Sequence, residues 1–131
     1  MTMKPVKSTL ASTLINDTFN ANPAGVLAAI EYAKVYKGKK ILVLQPMIEL
    51  GSAAEQAHRE VGMVAVKICD LVILTNKNFN KPFLEGAGKE KGEVLILDPK
   101  TSAERIKNMV DNESVVVFEG KESARVLAYF T

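Results

Sequence analysis

The chain has 131 residues, 47% of them apolar, with a formal charge of +2 and a single cysteine. That length supports one domain burying roughly two-thirds of its unfolded surface. The composition excludes an internal disulfide, a cysteine-based zinc cage and the strong positive excess of a nucleic-acid binder. No apolar run approaches the roughly 20 residues needed to span a bilayer, and Met1 to Ser12 lacks a signal peptide's apolar core, so the cytoplasm is the expected compartment.

A short apolar strand, Thr13-Leu14-Ile15, comes first, and Asn16-Asp17-Thr18-Phe19-Asn20-Ala21-Asn22-Pro23 follows it. Asn22 reads as an N-cap and Pro23 as the first helical residue, because proline loses nothing at N1 and asparagine can bond an orphan amide. The helix places Val26, Leu27, Ile30 and Ala33 on one face. A buried-strand run, Ile41 to Leu44, leads into the loop Gln45 to Gly51. A Ser52-x-x-Glu55 capping box then opens a helix carrying Ala54, Ala57, Val61, Ala65 and Ile68 inward. Cys69 reads as a small buried hydrophobe before the strand Leu71–Leu74. A shorter helix from Asn78 to Ala87, interrupted by Pro82, ends in the glycine-rich run Gly86 to Gly92. The third glycine of that run falls one place too late for a dinucleotide fingerprint and precedes a strand, so a flexible turn is expected. The strand Val94–Leu97 follows, and a second capping box, Thr101-x-x-Glu104, opens a helix with Ile106, Met109 and Val110 inward. After the strand Val115–Phe118, residues Ser123 to Phe130 fit a helix or an antiparallel edge strand equally.

The strand runs are continuous rather than alternating, as for strands covered on both faces. Their alternation with helices implies right-handed crossovers and a mainly parallel α/β sheet of five to six strands with helices on both faces, in one domain spanning 1–131. Ligands of such sheets bind beyond the carboxyl ends of the strands. Those ends put Asp17 to Pro23, Gln45 to Gly51, Thr75-Asn76, Asp98-Pro99 and Glu119 to Ser123 on one rim.

Asp17 is the foremost candidate on that rim, since a carboxylate at a strand end can accept both hydroxyl protons of a ribose. Asn20 and Asn22 add polar groups beside it, and a capped helix start directs amides at an anion. An Asx-rich turn with no ligand is the competing reading. Glu49 is either a solvated loop carboxylate or a contact to a substrate ammonium. His58 is either a satisfied helix histidine or a residue that faces the rim and steadies the Glu49 loop. With one histidine in the chain no metal site is expected. No G-x-x-x-x-G-K-[S/T] loop and no Ser-His-Asp set occurs.

The ordered motifs Asp17-Thr18-Phe19-Asn20-Ala21-Asn22-Pro23, Met47-x-Glu49-Leu50-Gly51 and His58-Arg59-Glu60-Val61-Gly62, separated by a helix and an apolar strand, resemble the C-terminal domain of the Mur ligases. The likeness is dense from Leu14 to Gly62 and thin afterwards, and lies nearest the branch that adds D-alanyl-D-alanine to a UDP-muramoyl peptide. It implies a Rossmann-like third domain of an ATP-dependent peptidoglycan-precursor ligase, with the phosphate loop and magnesium ligands in a central domain absent from this chain. It also implies that this domain closes over ATP, with Asp17, Asn20 and Asn22 toward the nucleotide. Glu49, His58, Lys121 and Ser123 would then position the incoming amino acid or dipeptide. No catalytic residue is assigned, and the isolated domain is expected to be inactive. The implied partners are the central ATPase domain and the N-terminal UDP-substrate domain, with neither nucleic acid nor membrane.

Two departures stand out. The family's usual Gly-Asp before Met-x-Glu-Leu-Gly is Gln45-Pro46 here, and glutamate, Glu119, stands where a Lys-Gly-Ser lysine is usual. Both bear on dipeptide specificity and leave the first rim loop intact. The alternative is a free-standing, non-catalytic binding or regulatory domain. A phospho-acceptor receiver domain is not supported, because Thr75-Asn76 and Glu119-Gly120 supply neither its acidic residue nor its lysine.

Overall fold

The computed structural model describes residues 4–5, 9–19, 21–89 and 92–131. In chain order the elements are β1 (Lys4–Pro5), β2 (Thr13–Asp17), α1 (Pro23–Ala33), β3 (Lys40–Leu44), α2 (Ala54–Ile68), β4 (Leu71–Leu74), α3 (Asn80–Ala87), β5 (Glu93–Ile96), α4 (Pro99–Met109), β6 (Val115–Glu119) and α5 (Ser123–Leu127). Single 3-10 turns precede α2 and follow α5. The strands form one sheet in the order β1-β2-β6-β3-β4-β5. All pairings are parallel except that of β1 with β2.

The sheet is buried because apolar side chains cover both of its faces. Ile15, Leu42, Leu44, Val72, Leu74, Val115 and Val117 meet α1, α2 and α3 on one side. On the other, Leu14, Ile41, Val43, Leu71, Ile73, Val116 and Phe118 meet α4, α5 and Phe130. Each buried aliphatic side chain contributes about 1.5–3 kcal/mol relative to exposure, so this double layer dominates the fold's stability. β5, an edge strand, is less covered than the central strands, with Glu93 and Ile96 exposed. The chain returns from β5 through α4 to place β6 between β2 and β3. That insertion brings the ends of β2, β6 and β3 side by side.

Two helix starts differ from the capping boxes expected. Asp98 caps α4 by accepting from the Thr101 amide at 2.8 Å, with Pro99 at N1, so Thr101 already lies inside the helix. The Ser52-x-x-Glu55 box does not form, because α2 grows out of a 3-10 turn at Gly51–Ala53 without any side-chain cap. Pro82 sits in the first turn of α3, where its missing N–H has no intrahelical role, and the helix continues through it. Gly86 is also helical rather than part of a flexible turn. A Cβ on Gly86 would collide with the Arg59 backbone, and one on Gly62 with the Phe83 carbonyl, so paired glycines let α2 and α3 touch backbone to backbone. Ser123 to Phe130 is helical, and the antiparallel edge strand is β1. Cys69, the C-cap of α2, is buried, as expected. No described helix is long and apolar enough to cross a membrane.

Candidate functional site

The rim begins where β2 ends. Asn16 Oδ1 accepts from both the amide and the hydroxyl of Thr18, which turns the chain out of the sheet. Asn22 then caps α1 as its type and its following proline demand, accepting from the Gly25 amide at 2.8 Å. That arrangement uses up part of the amide cluster expected here: Pro23 has no N–H and Asn22 takes that of Gly25. Asn20 lies outside the described residues. Phe19 is 85% exposed at the top of this turn.

β6 ends beside β2, with Asp17 and Glu119 at paired register positions. The ladder continues past both strand ends, since the Gln45 amide donates to Glu119 O at 2.9 Å and the Gly120 amide to Asp17 O at 3.2 Å. Gly120 has φ +91° and lies so close to Gln45 that any side chain there would strike it. Gln45 Oε1 accepts from the Glu122 amide at 2.9 Å. The Glu122 carboxylate in turn accepts from Thr75 Oγ1 at 2.7 Å and Asn76 Nδ2 at 2.8 Å. Gln45 therefore ties the β6 turn to the end of β3, and the Glu122 carboxylate ties it to the end of β4. Glu119 itself is fully buried, and neither carboxyl oxygen has a hydrogen-bond partner among the described residues. Burial, and then the neighbouring Asp17, push its pKa up to about 10, making it a far weaker acid than an ordinary carboxyl.

The loop after β3 is held from below by His58, which is 1% exposed. Its Nε2 accepts from the Met47 amide at 3.0 Å, which places the ring proton on Nδ1, 2.7 Å from the Ala54 carbonyl oxygen it donates to. Phe79 stacks on the ring at a centroid distance of 4.5 Å. Desolvation lowers the basicity of His58, partly opposed by its bond to Ala54, so the imidazole is neutral at pH 7. The two alternatives for His58 thus merge: it is a satisfied buried histidine, and through Met47 it steadies the Glu49 loop. Glu49 is exposed at the loop's tip with φ +62°. Such a conformation costs a non-glycine residue about 1–2 kcal/mol.

Between the three turns lies a cleft of about 370 Å³ lined by Phe19, Asn22, Gln45, Met47, Glu49 and Lys121, among others. The structure thus brings Asn22, Glu49 and Lys121 to one cavity, with Asp17 at the adjoining strand end. Lys121 is exposed and has no ion-pair partner among the described residues. Ser123 is fully buried, its hydroxyl shared between the carbonyl oxygens of Glu119 at 2.8 Å and Val43 at 3.2 Å. Any influence of Ser123 on a ligand passes through the backbone it holds. No group of three His, Cys, Asp or Glu that could hold a metal ion occurs among the described residues. Sequence reasoning noticed Glu119 as a departure but not as a buried acid. The available signal was an uninterrupted apolar strand running into it beside Asp17.

A family model described as "Mur ligase, glutamate ligase domain" matches residues 3–122. UDP-N-acetylmuramoyl-tripeptide–D-alanyl-D-alanine ligase of Buchnera aphidicola is 32% identical over 102 residues, which are 74% of this chain and 20% of that protein. The enzyme of the same name from Bacillus subtilis is 39% identical over 66 residues, 49% of this chain and 14% of that protein. Among solved structures, MurF ligase from Thermotoga maritima in complex with ADP matches with a TM-score of 0.79 and 26% identity, over 96% of this chain and 29% of that one. The chain therefore spans less than a third of the length of each of these relatives.

Proposed function

The chain belongs to the Mur ligase family as a C-terminal domain close to that of MurF, and from this premise we propose that it is the closing domain of an ATP-dependent peptidoglycan-precursor amide ligase. The observation carrying the proposal is the convergence of Asn22, Glu49 and Lys121 on one cleft at the carboxyl ends of the strands, beside Asp17. Asp17 accepts from the sugar hydroxyls of the nucleotide, and Asn22 and Asn20 flank it. Glu49 faces the ammonium of the incoming amino acid or dipeptide, and Lys121 its carboxylate. His58 and Ser123 hold the backbone that presents these groups.

The residues fit the sugar of the nucleotide and the charged ends of the amine substrate, but not a magnesium triphosphate. The chain has no phosphate loop, and its described residues offer no metal-ligand cluster. Phosphates and magnesium are therefore assigned to a neighbouring central domain, which supplies the phosphoryl chemistry. This chain's part is to orient the reactants and exclude water on closure, a large component of catalysis without a group that reacts. The isolated chain is accordingly inactive, and the fluid in which it works is cytoplasmic. The relative named for its ADP complex supports nucleotide use by the whole enzyme.

Calorimetric titration of the chain with ADP tests the assignment of Asp17. The expected affinity is millimolar, about 4 kcal/mol, weakened tenfold or more by Asp17→Ala. Equal affinity in the two proteins would overturn the role given to Asp17.

A further inference from the structure

Glu119 ends β6 as a fully buried carboxyl whose two oxygens find no hydrogen-bond partner among the described residues. An ionised carboxylate there would forfeit its hydration and receive nothing in exchange. Asp17 holds the paired register position on β2 and is itself nearly buried. Residues paired across parallel strands share a sheet face, so both carboxyls lie on the side where Ile15 and Val117 meet α1.

Among the described residues, no compensating cation is paired with Glu119. β3 brings Leu44 and Gln45 to this position. The start of α1 carries Asn22, Pro23, Ala24 and Gly25, all uncharged. In the turn after Glu119, Lys121 lines the cleft and Glu122 is held by Thr75 and Asn76. His58 is neutral and committed to Met47 and Ala54. Asp17 is thus the ionisable group that acts on Glu119. Two side-by-side buried carboxyls do not both ionise, and the proton stays on the less solvated one.

We propose that Glu119 is a protonated carboxylic acid whose proton, unpartnered among the described residues, is offered to Asp17 across the paired strand ends when a ligand enters the rim, so that the hydrogen bond formed then sets the direction in which Asp17 faces it. Glu119 is a positioning residue acting through Asp17, and its use for ligand binding rests on the nucleotide-facing reading of Asp17. Losing the proton places two negative charges side by side and turns Asp17 away. Glutamine in its place keeps a donor but cannot titrate, whereas leucine keeps the bulk without a donor.

Carboxyl ¹³C NMR on the chain, with Glu119→Gln used to assign the resonance, tests the proton directly. The Glu119 carbon is expected to hold its protonated position through neutral pH and to move only near pH 10. Movement complete by pH 6 would overturn the proposal. ADP titrations test the positioning. The parent is expected to lose affinity at least tenfold between pH 7 and 10, Glu119→Gln to bind as the parent does at pH 7 without that loss, and Glu119→Leu to bind tenfold more weakly throughout. Equal weakening by glutamine and leucine would overturn the donor role. If ADP does not bind the parent at all, the nucleotide reading fails, while the ¹³C titration still decides the state of Glu119.

Discussion

His58 and Gly62 lie one turn apart on α2, and they show two different ways of joining a helix to its surroundings. Gly62 meets the Phe83 carbonyl with no room for a side chain, and Gly86 meets Arg59 in the same manner. That contact is a close approach of two helix backbones, which contributes packing. His58 instead bonds the Met47 amide and stacks on Phe79. Among the described residues, Glu49 and Phe79 are the non-glycine residues with left-handed φ, +62° and +59°. One sits in the loop His58 holds and the other lies against its ring. Two left-handed residues held against a buried histidine fit the proposed site, and no such strain is found at Gly62 one helical turn away.

The largest effect expected from breaking this contrast is on the packing side. Gly62→Ala forces a methyl group into backbone and should cost about 3 kcal/mol or more, read as a lowered thermal midpoint with ligand binding retained in whatever fraction folds. A loss below 1 kcal/mol would show that α2 and α3 can separate cheaply.

His58→Ala comes next. It leaves the buried Met47 amide without an acceptor, at about 2 kcal/mol, and should also loosen the Glu49 loop. The titration gives a second signature. The basicity of folded His58 is lowered by desolvation, so the unfolded chain binds more protons in the window below its ordinary pKa of 6.5. Stability from neutral His58 is present above 6.5 and is lost as pH falls through the lowered folded value. Denaturant midpoints of parent and His58→Gln should therefore converge on acidification. A constant difference would contradict the neutral, acceptor role of the ring.

Glu49→Gly gives the smallest change and the sharpest contrast. Relief of the left-handed backbone should stabilise the protein by about 0.5–1 kcal/mol, while removing a cleft carboxylate should weaken binding of a dipeptide ammonium. Stabilisation without any effect on dipeptide binding would reduce Glu49 to a strained turn.

Much of this was legible in the sequence, for identifiable reasons. The apolar runs at Ile41–Leu44, Leu71–Leu74 and Val115–Phe118 announced strands covered on both faces, and Asn22-Pro23 marked the start of α1. Asp98-Pro99 carries the same signal at α4, yet the Thr101-x-x-Glu104 pattern three residues later resembles a capping box as well, and residue types alone do not rank the two. Strand order was not legible, because insertion of β6 between β2 and β3 is decided by packing far apart in the chain. For the same reason the Asp17–Glu119 pair surfaced only when the two strand ends were placed in register. His58 was readable as a helix residue near the rim, but its bond to Met47 depends on how the 45–50 loop folds back.

The central claim is that the rim over β2, β6 and β3 is the working face. An amide-resolved NMR titration with ADP tests it most directly. Saturable shifts confined to residues 17–26, the Gln45–Leu50 loop and the Gly120–Glu122 turn would agree with the account. The opposite layer carries a second cavity of about 350 Å³, lined by Leu10, Lys100, Lys107 and Tyr129. Shifts gathered there, with the rim unmoved, would contradict the account.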